Sequence, residues 1–197
     1  MAGSLIVFEG LDQSGKQTQA ELLRDRLRQD GHKARLVAFP DYGTSIGEEI
    51  ARALQGEREY SAEVMQLLYI ANRYELKGDL VRWLEGGLIL VCDRYTASSI
   101  AYGRAQGLDT DWLAGVQRHL PPATLTILLD IAPDTAVRRK AVDRDRYERD
   151  LDLQSRVRET YHELAAAEGW VRIDGERPKD VIAEDVLKAV VAVIGAP

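Results

Sequence analysis

Residues 10–16 read GLDQSGK and set two glycines and a lysine at the spacing G-x-x-x-x-G-K. Gly10 and Gly15 allow backbone N–H groups to curl around phosphate oxygens, and Lys16 reaches the outer phosphates. The loop takes in Gly10, Leu11, Asp12, Gln13, Ser14, Gly15, Lys16, Gln17 and Thr18, and the following helix adds its positive N-terminal end. One position departs from the pattern. Ser or Thr ordinarily follows the lysine and ligates magnesium, whereas here the residue is Gln17. Thr18 lies a helical step of about 100° further round and points elsewhere. The carboxylate then matters more: Asp93 ends the apolar run LILVCD, placed to hold Mg2+ directly or through water, or else to cap the strand end or pair with Arg94.

Three further stretches carry residue types suited to an anionic ligand. In FPDYGTSIG, Phe39 and Pro40 give either a rigid apolar wall or a plain strand-ending turn, since Pro40 cannot donate to a ladder. In LLYIANRYE, Tyr69 and Arg73 stand four residues apart on one helical face. There a ring can stack on a base while a guanidinium bonds its edge, or the pair can belong to an amphipathic packing face. VRRKAVDRDRYERD holds Arg138, Arg139, Lys140, Arg144, Arg146 and Arg149 among acids, and reads as a basic lid or as a solvated charged helix. His32, His119 and His162 show no metal-ligand spacing, so neither zinc nor a histidine base is expected. Cys92 sits in an apolar run and reads as a small buried residue.

These groups need a scaffold, and the segment order supplies one. The runs LIVFEG, ARLVAFP, GLILVCD, LTILLDI and WVRID read as strands. The segments QAELLRDRLRQDG, EVMQLLYIANRYELKGDLVRWLEGG and SRVRETYHELAAAEG read as helices closing on glycine. Alternation of this kind predicts a central parallel sheet flanked by helices, with ligands at the strand ends, where Gly10, Asp12, Asp93, Arg94 and Asp130 stand. The 197 residues, 45% of them hydrophobic, suffice for one compact domain. A formal net charge of −6 disfavours nonspecific nucleic-acid binding. One cysteine excludes an internal disulfide framework and fits a reducing compartment. The N-terminus lacks a basic segment and AVVAVIGA is too short to span a bilayer, so the expectation is a cytoplasmic protein without a membrane partner.

Five motifs in order resemble the thymidylate kinase family: FEGLDQSGKQTQ its phosphate loop, FPDYGTSIG its phenylalanine-proline turn, LLYIANRYE its base-binding helix, DRYTASSIAY its Asp-Arg-Tyr motif, and DRDRYERD its lid. The resemblance implies a P-loop NTPase-type three-layer fold over 1–197 with a short basic lid at about 137–152. It implies transfer of a phosphoryl group from ATP to dTMP with Mg2+, and a homodimer. By position, it gives Asp12 the sugar 3′-hydroxyl, Phe39 and Pro40 a wall beside the acceptor, and Tyr69 and Arg73 the thymine. Arg94 clamps phosphates of both nucleotides, Ser98 lies near the base, and Tyr102 crowds the sugar 2′ position. Tyr42 stands where many members carry an arginine for the acceptor phosphate. Because Gln13 is neutral, the catalytic arginine must come from the lid: Arg139, Arg144 and Arg146 close over the triphosphate, Arg139 lies against the adenine, and Tyr147 faces the acceptor. IDGERPKD is similar to the segment lining the adenine site, and Asp130 reads as structural. The alternatives are another nucleoside monophosphate or deoxynucleoside kinase, for which Glu9 is the one carboxylate placed as a base, and a nucleotide-binding regulatory protein without catalysis.

Overall fold

The computed structural model describes residues 3–140 and 150–195. Among them five strands, β1 (Ser4–Glu9), β2 (Ala34–Ala38), β3 (Ile89–Asp93), β4 (Leu125–Asp130) and β5 (Val171–Asp174), form one parallel sheet in the order β2-β3-β1-β4-β5. The three inner strands are buried on both faces and read as continuous apolar runs. The edge strands β2 and β5 carry exposed positions among buried ones.

The connections are helical, as parallel neighbours require. The chain passes through α1 (Lys16–Gln29) to β2, and through α2 (Ser45–Leu54), α3 (Ala62–Glu75) and α4 (Lys77–Glu85) to β3. From there α5 (Thr96–Ala105) and α6 (Thr110–Gln117) lead to β4, then α7 (Pro133–Arg139) and α8 (Leu151–Glu168) to β5, and α9 (Lys179–Ile194) follows. Ile6 and Phe8 of β1 face a core shared with Leu23 and Leu27 of α1 and Val186 and Val190 of α9. Leu5 and Val7 face the other way, toward Leu80 of α4 and Tyr95. Leu128 of β4 meets Tyr102 of α5 and Val157 of α8 on that side. Three layers result, and no helix among the described residues is long and apolar enough to cross a membrane.

Each of the five expected strands is present. The long expected helix from Glu63 to Gly87 is instead two, α3 and α4, meeting at Leu76. The break has a packing reason: α3 lies against α2 and α5 whereas α4 lies on β3, and Gly78 just beyond the junction is a weak helix former.

The strand order reverses around β1, whose neighbours β3 and β4 are reached through different crossovers. Ligands in open sheets of this kind bind where the loops after such strands part. The loop after β1 and the Asp93–Arg94 pair after β3 meet there, with Phe8 in register opposite Asp93.

Candidate active site

The loop between Glu9 and α1 is shaped by two glycines. Gly10 has φ 141° and a Cβ there would stand 2.4 Å from the Leu129 carbonyl oxygen, while Gly15 has φ 93° and opens α1. Lys16 is buried in the loop, its Nζ donating to the Leu11 carbonyl at 2.7 Å and to Ser14 Oγ at 3.5 Å. Burial, with the Arg94 charge, draws its pKa down to about 8 against the pull of Asp93, Asp12 and Glu9. Leu11 and Ser14 are buried. Thr18 is exposed, as is Gln17, whose amide donates to Glu21 Oε1 one turn further along α1.

Asp93 has a buried Oδ1 with no hydrogen-bond partner in the protein. Burial raises its pKa, opposed by Lys16 and Arg94. A carboxylate oxygen in that condition suits a hard cation or a water bound to one, so the residues present fit magnesium. Among the described residues no group of three or more His, Cys, Asp or Glu side chains forms a metal cage by itself.

Arg94 adopts φ 63°, with its backbone N–H donating to the Phe8 carbonyl at 2.9 Å. The guanidinium is the hub of the site, donating to Asp12 Oδ1 at 2.6 Å, Ser98 Oγ at 3.2 Å and Tyr161 Oη at 3.4 Å. The Tyr102 hydroxyl donates to the other Asp12 oxygen at 3.1 Å. Burial works against the Asp12 charge, yet Arg94 and Lys16 outweigh it and hold the carboxyl at about 2.

Glu9 anchors this cluster from below. It is fully buried, and its carboxylate accepts from the backbone N–H groups of Tyr95 and Ser98, from Ser98 Oγ at 2.6 Å and from Tyr161 Oη at 3.0 Å. No side chain of the preceding turn caps α5, so Glu9 satisfies that helix start from the neighbouring strand. Glu9, the carboxylate a nucleoside acceptor would need as base, thus has both oxygens engaged, by the start of α5 and by Tyr161 of α8.

Beside this cluster lies a cleft. Phe39 and Pro40 wall one side, the Phe39 ring centroid 5.9 Å from that of Tyr95, and Tyr42 stands half-exposed at the margin. Asp12, Arg94, Ser98 and Tyr102 line it as well, together with Tyr69 and Arg73 of α3. Arg73 is buried, donating to Ser99 Oγ at 2.8 Å and to Gln117 Oε1 at 3.1 Å, and burial lowers its pKa. The cleft also takes in Leu54, Gln66 and Ser99, which sequence reasoning missed. Gln66 was findable, since Gln66, Tyr69 and Arg73 recur at i, i+3 and i+7. Tyr161, from α8, carried no local signal.

Asn72 ties the wall to α3. Its amide accepts from the Asp41 N–H at 2.7 Å and donates to the Asp41 carbonyl, Thr44 Oγ1 and Glu75 Oε2. On the opposite side Arg139 bridges the phosphate loop to the turn after β5, donating to the Gln13 carbonyl at 2.9 Å and the Gly175 carbonyl at 2.8 Å. Asp130 accepts from Arg158 at 2.7 Å and pairs with Arg172 at 3.2 Å, joining β4, α8 and β5 as a structural residue would. Arg144, Arg146 and Tyr147 lie outside the described residues.

Comparison with known proteins gives the arrangement a relationship. The sequence model of the family described as Thymidylate kinase matches residues 8–186. The chain is similar to the thymidylate kinase of Schizosaccharomyces pombe, 38% identical over 82% of this chain and 77% of that protein. It is 34% identical to that of Plasmodium falciparum, over 95% and 90% of the two chains, and 32% identical to that of Homo sapiens, over 93% and 88%. A solved structure of thymidylate kinase from Candida albicans superposes with a TM-score of 0.85 at 29% identity, covering 97% of this chain and 92% of that one. The match runs from Phe8 in β1 to Val186 in α9 and takes in every residue of the loop and the cleft, so the chain belongs to the thymidylate kinase family.

Proposed function

We propose that this cleft transfers the γ-phosphoryl group of ATP to dTMP, giving ADP and dTDP. The observation that carries the reading is Asp12, which belongs to the phosphate loop, lines the acceptor cleft and is gripped there by Arg94. Donor and acceptor subsites thus share one guanidinium, a planar fork suited to phosphate oxygens.

The attacking group is a phosphate oxygen that is already anionic, so alignment and positive charge suffice without a base. Gly10 to Thr18 cradle the ATP phosphates, with Lys16 at the outer ones. Arg94 and the lid arginines Arg139, Arg144 and Arg146 stabilise charge on the transferring group. Phe39 and Pro40 wall the acceptor, Tyr42 stands toward its phosphate, Tyr147 is assigned to the acceptor, and Tyr69 stacks on the thymine while Arg73 bonds its edge. Asp12 takes the sugar hydroxyl with lone pairs left over from Arg94 and Tyr102, and Tyr102 crowds the 2′ position. Ser98 lies near the base and accepts from Arg94. When bound, Mg2+ would supply neutralisation of phosphate charge, and Asp93 would hold it directly or through water. Gln17, turned to Glu21, is a tolerated substitution.

The same reading makes 1–197 a single kinase domain with its lid at about 137–152. It places the protein in the cytoplasm with nucleotides as partners. It also makes it a homodimer, which the exposed Val64 and Leu67 of α3 and Trp112 of α6 support. The carboxylate a nucleoside kinase would use as base is the occupied Glu9. Steady-state ADP formation with dTMP, dUMP, UMP, CMP and thymidine as acceptors tests the assignment: turnover is expected to be greatest with dTMP, and a preference for thymidine or CMP would refute it.

A further inference from the structure

Gln66 is 1% exposed and lines the cleft, yet neither its Nε2 nor its Oε1 has a hydrogen-bond partner in the protein. Buried amides are ordinarily satisfied, and one left open beside a cleft is suited to a ligand's polar edge. We propose that Gln66 reads the acceptor base, its carboxamide accepting from the pyrimidine N3–H and donating to an adjacent ring carbonyl. This rests on the reading that the cleft takes dTMP.

Position supports the pairing. Arg73 meets α5 at Ser99, and Gln66 Cγ lies 3.6 Å from where a Cβ on Gly103 would stand. Ser99 and Gly103 are one helical turn apart, about 6 Å. The two side chains of α3 therefore reach α5 one turn apart and both line the cleft, with Tyr69 on the turn of α3 between them. Donor and acceptor accounting points the same way. A thymine edge presents a carbonyl, an N–H and a carbonyl, and Arg73 carries donors alone. The imide N–H therefore needs an acceptor, and Gln66 Oε1 has no partner in the protein.

Gln66→Leu removes both amide atoms at nearly constant volume, and dTMP bearing a methyl on N3 removes the hydrogen bond from the ligand side. In the wild-type chain the methyl is expected to lower kcat/KM by about tenfold or more. In Gln66→Leu, KM for dTMP should rise about tenfold with KM for ATP unmoved, and the two acceptors should be used within about twofold of each other. Without nucleotide the variant should melt no lower than wild type, because it replaces unpaired buried polar atoms with apolar ones. An N3-methyl penalty unchanged in Gln66→Leu overturns the proposal, as does a clear fall in melting temperature, which would show the amide satisfied within the protein. Wild-type chain that does not phosphorylate dTMP overturns the functional reading itself and the proposal with it.

Discussion

Lys16 carries its charge where burial and Arg94 both disfavour a cation, which is why its pKa falls to about 8. The phosphate loop is therefore charged for binding below that pH and loses its ammonium above it. The expected result is a kcat/KM for ATP that falls as pH rises past about 8. At saturating nucleotide the bound phosphates hold the proton on, so kcat declines at higher pH; a kcat/KM profile flat to pH 10 would contradict this. Asp12 works with the opposite sign. Its folded pKa of about 2 lies below the ordinary 3.8, so its stabilising contribution is complete above about pH 4 and drains away as pH falls toward 2, readable from urea melts across that range. Arg94→Ala removes the shared clamp and should lower dTMP turnover by about a thousandfold or more, whereas near-normal kinetics would show that the clamp lies elsewhere. Asp93→Asn should raise the magnesium concentration needed for half-maximal rate, and Gln17→Ala should leave it nearly unchanged, since Gln17 is turned to Glu21.

Elements hold these residues through contacts that cross the sequence. Glu9 is the clearest case, a strand-end carboxylate that serves as the start of α5. Glu9→Ala strands four donors in a dry site and should destabilise the fold by about 3 kcal/mol or more by chemical denaturation. Gly47 is another: a Cβ there would stand 1.8 Å from the Asp41 carbonyl oxygen, within the turn that carries Tyr42. Gly47→Ala should raise KM for dTMP and cost about 1–3 kcal/mol of stability, because backbone must move. Local pattern made much of this legible. The inner strands stand out because they are buried on both faces, and Gly10, Lys16, Asp93 and Arg94 were readable because loop chemistry is set by near neighbours. What stayed hidden was set by distant partners. No neighbour in sequence announces what Glu9 holds, because Ser98 lies 89 residues away and Tyr161 152. The helix from Glu63 looked continuous because the need to turn at Leu76 comes from β3 and α5. Gln66 had the right spacing, but its lack of a partner exists only in three dimensions.

At the scale of the whole molecule, one sheet carries the phosphate loop on its central strand and brings the acceptor cleft against it through α3 and α5. The exposed apolar residues Val64, Leu67 and Trp112 lie on α3 and α6, outside the cleft. Light scattering should give twice the chain mass, reduced to one by Leu67→Glu. Donor and acceptor phosphates meet at Arg94 in the proposed transfer. Its most direct test is chromatographic quantitation of ADP and dTDP formed by the wild-type chain from ATP, dTMP and magnesium. One dTDP for each ADP is the predicted result; ATP consumed without dTDP, or no product despite binding of both nucleotides, would contradict it.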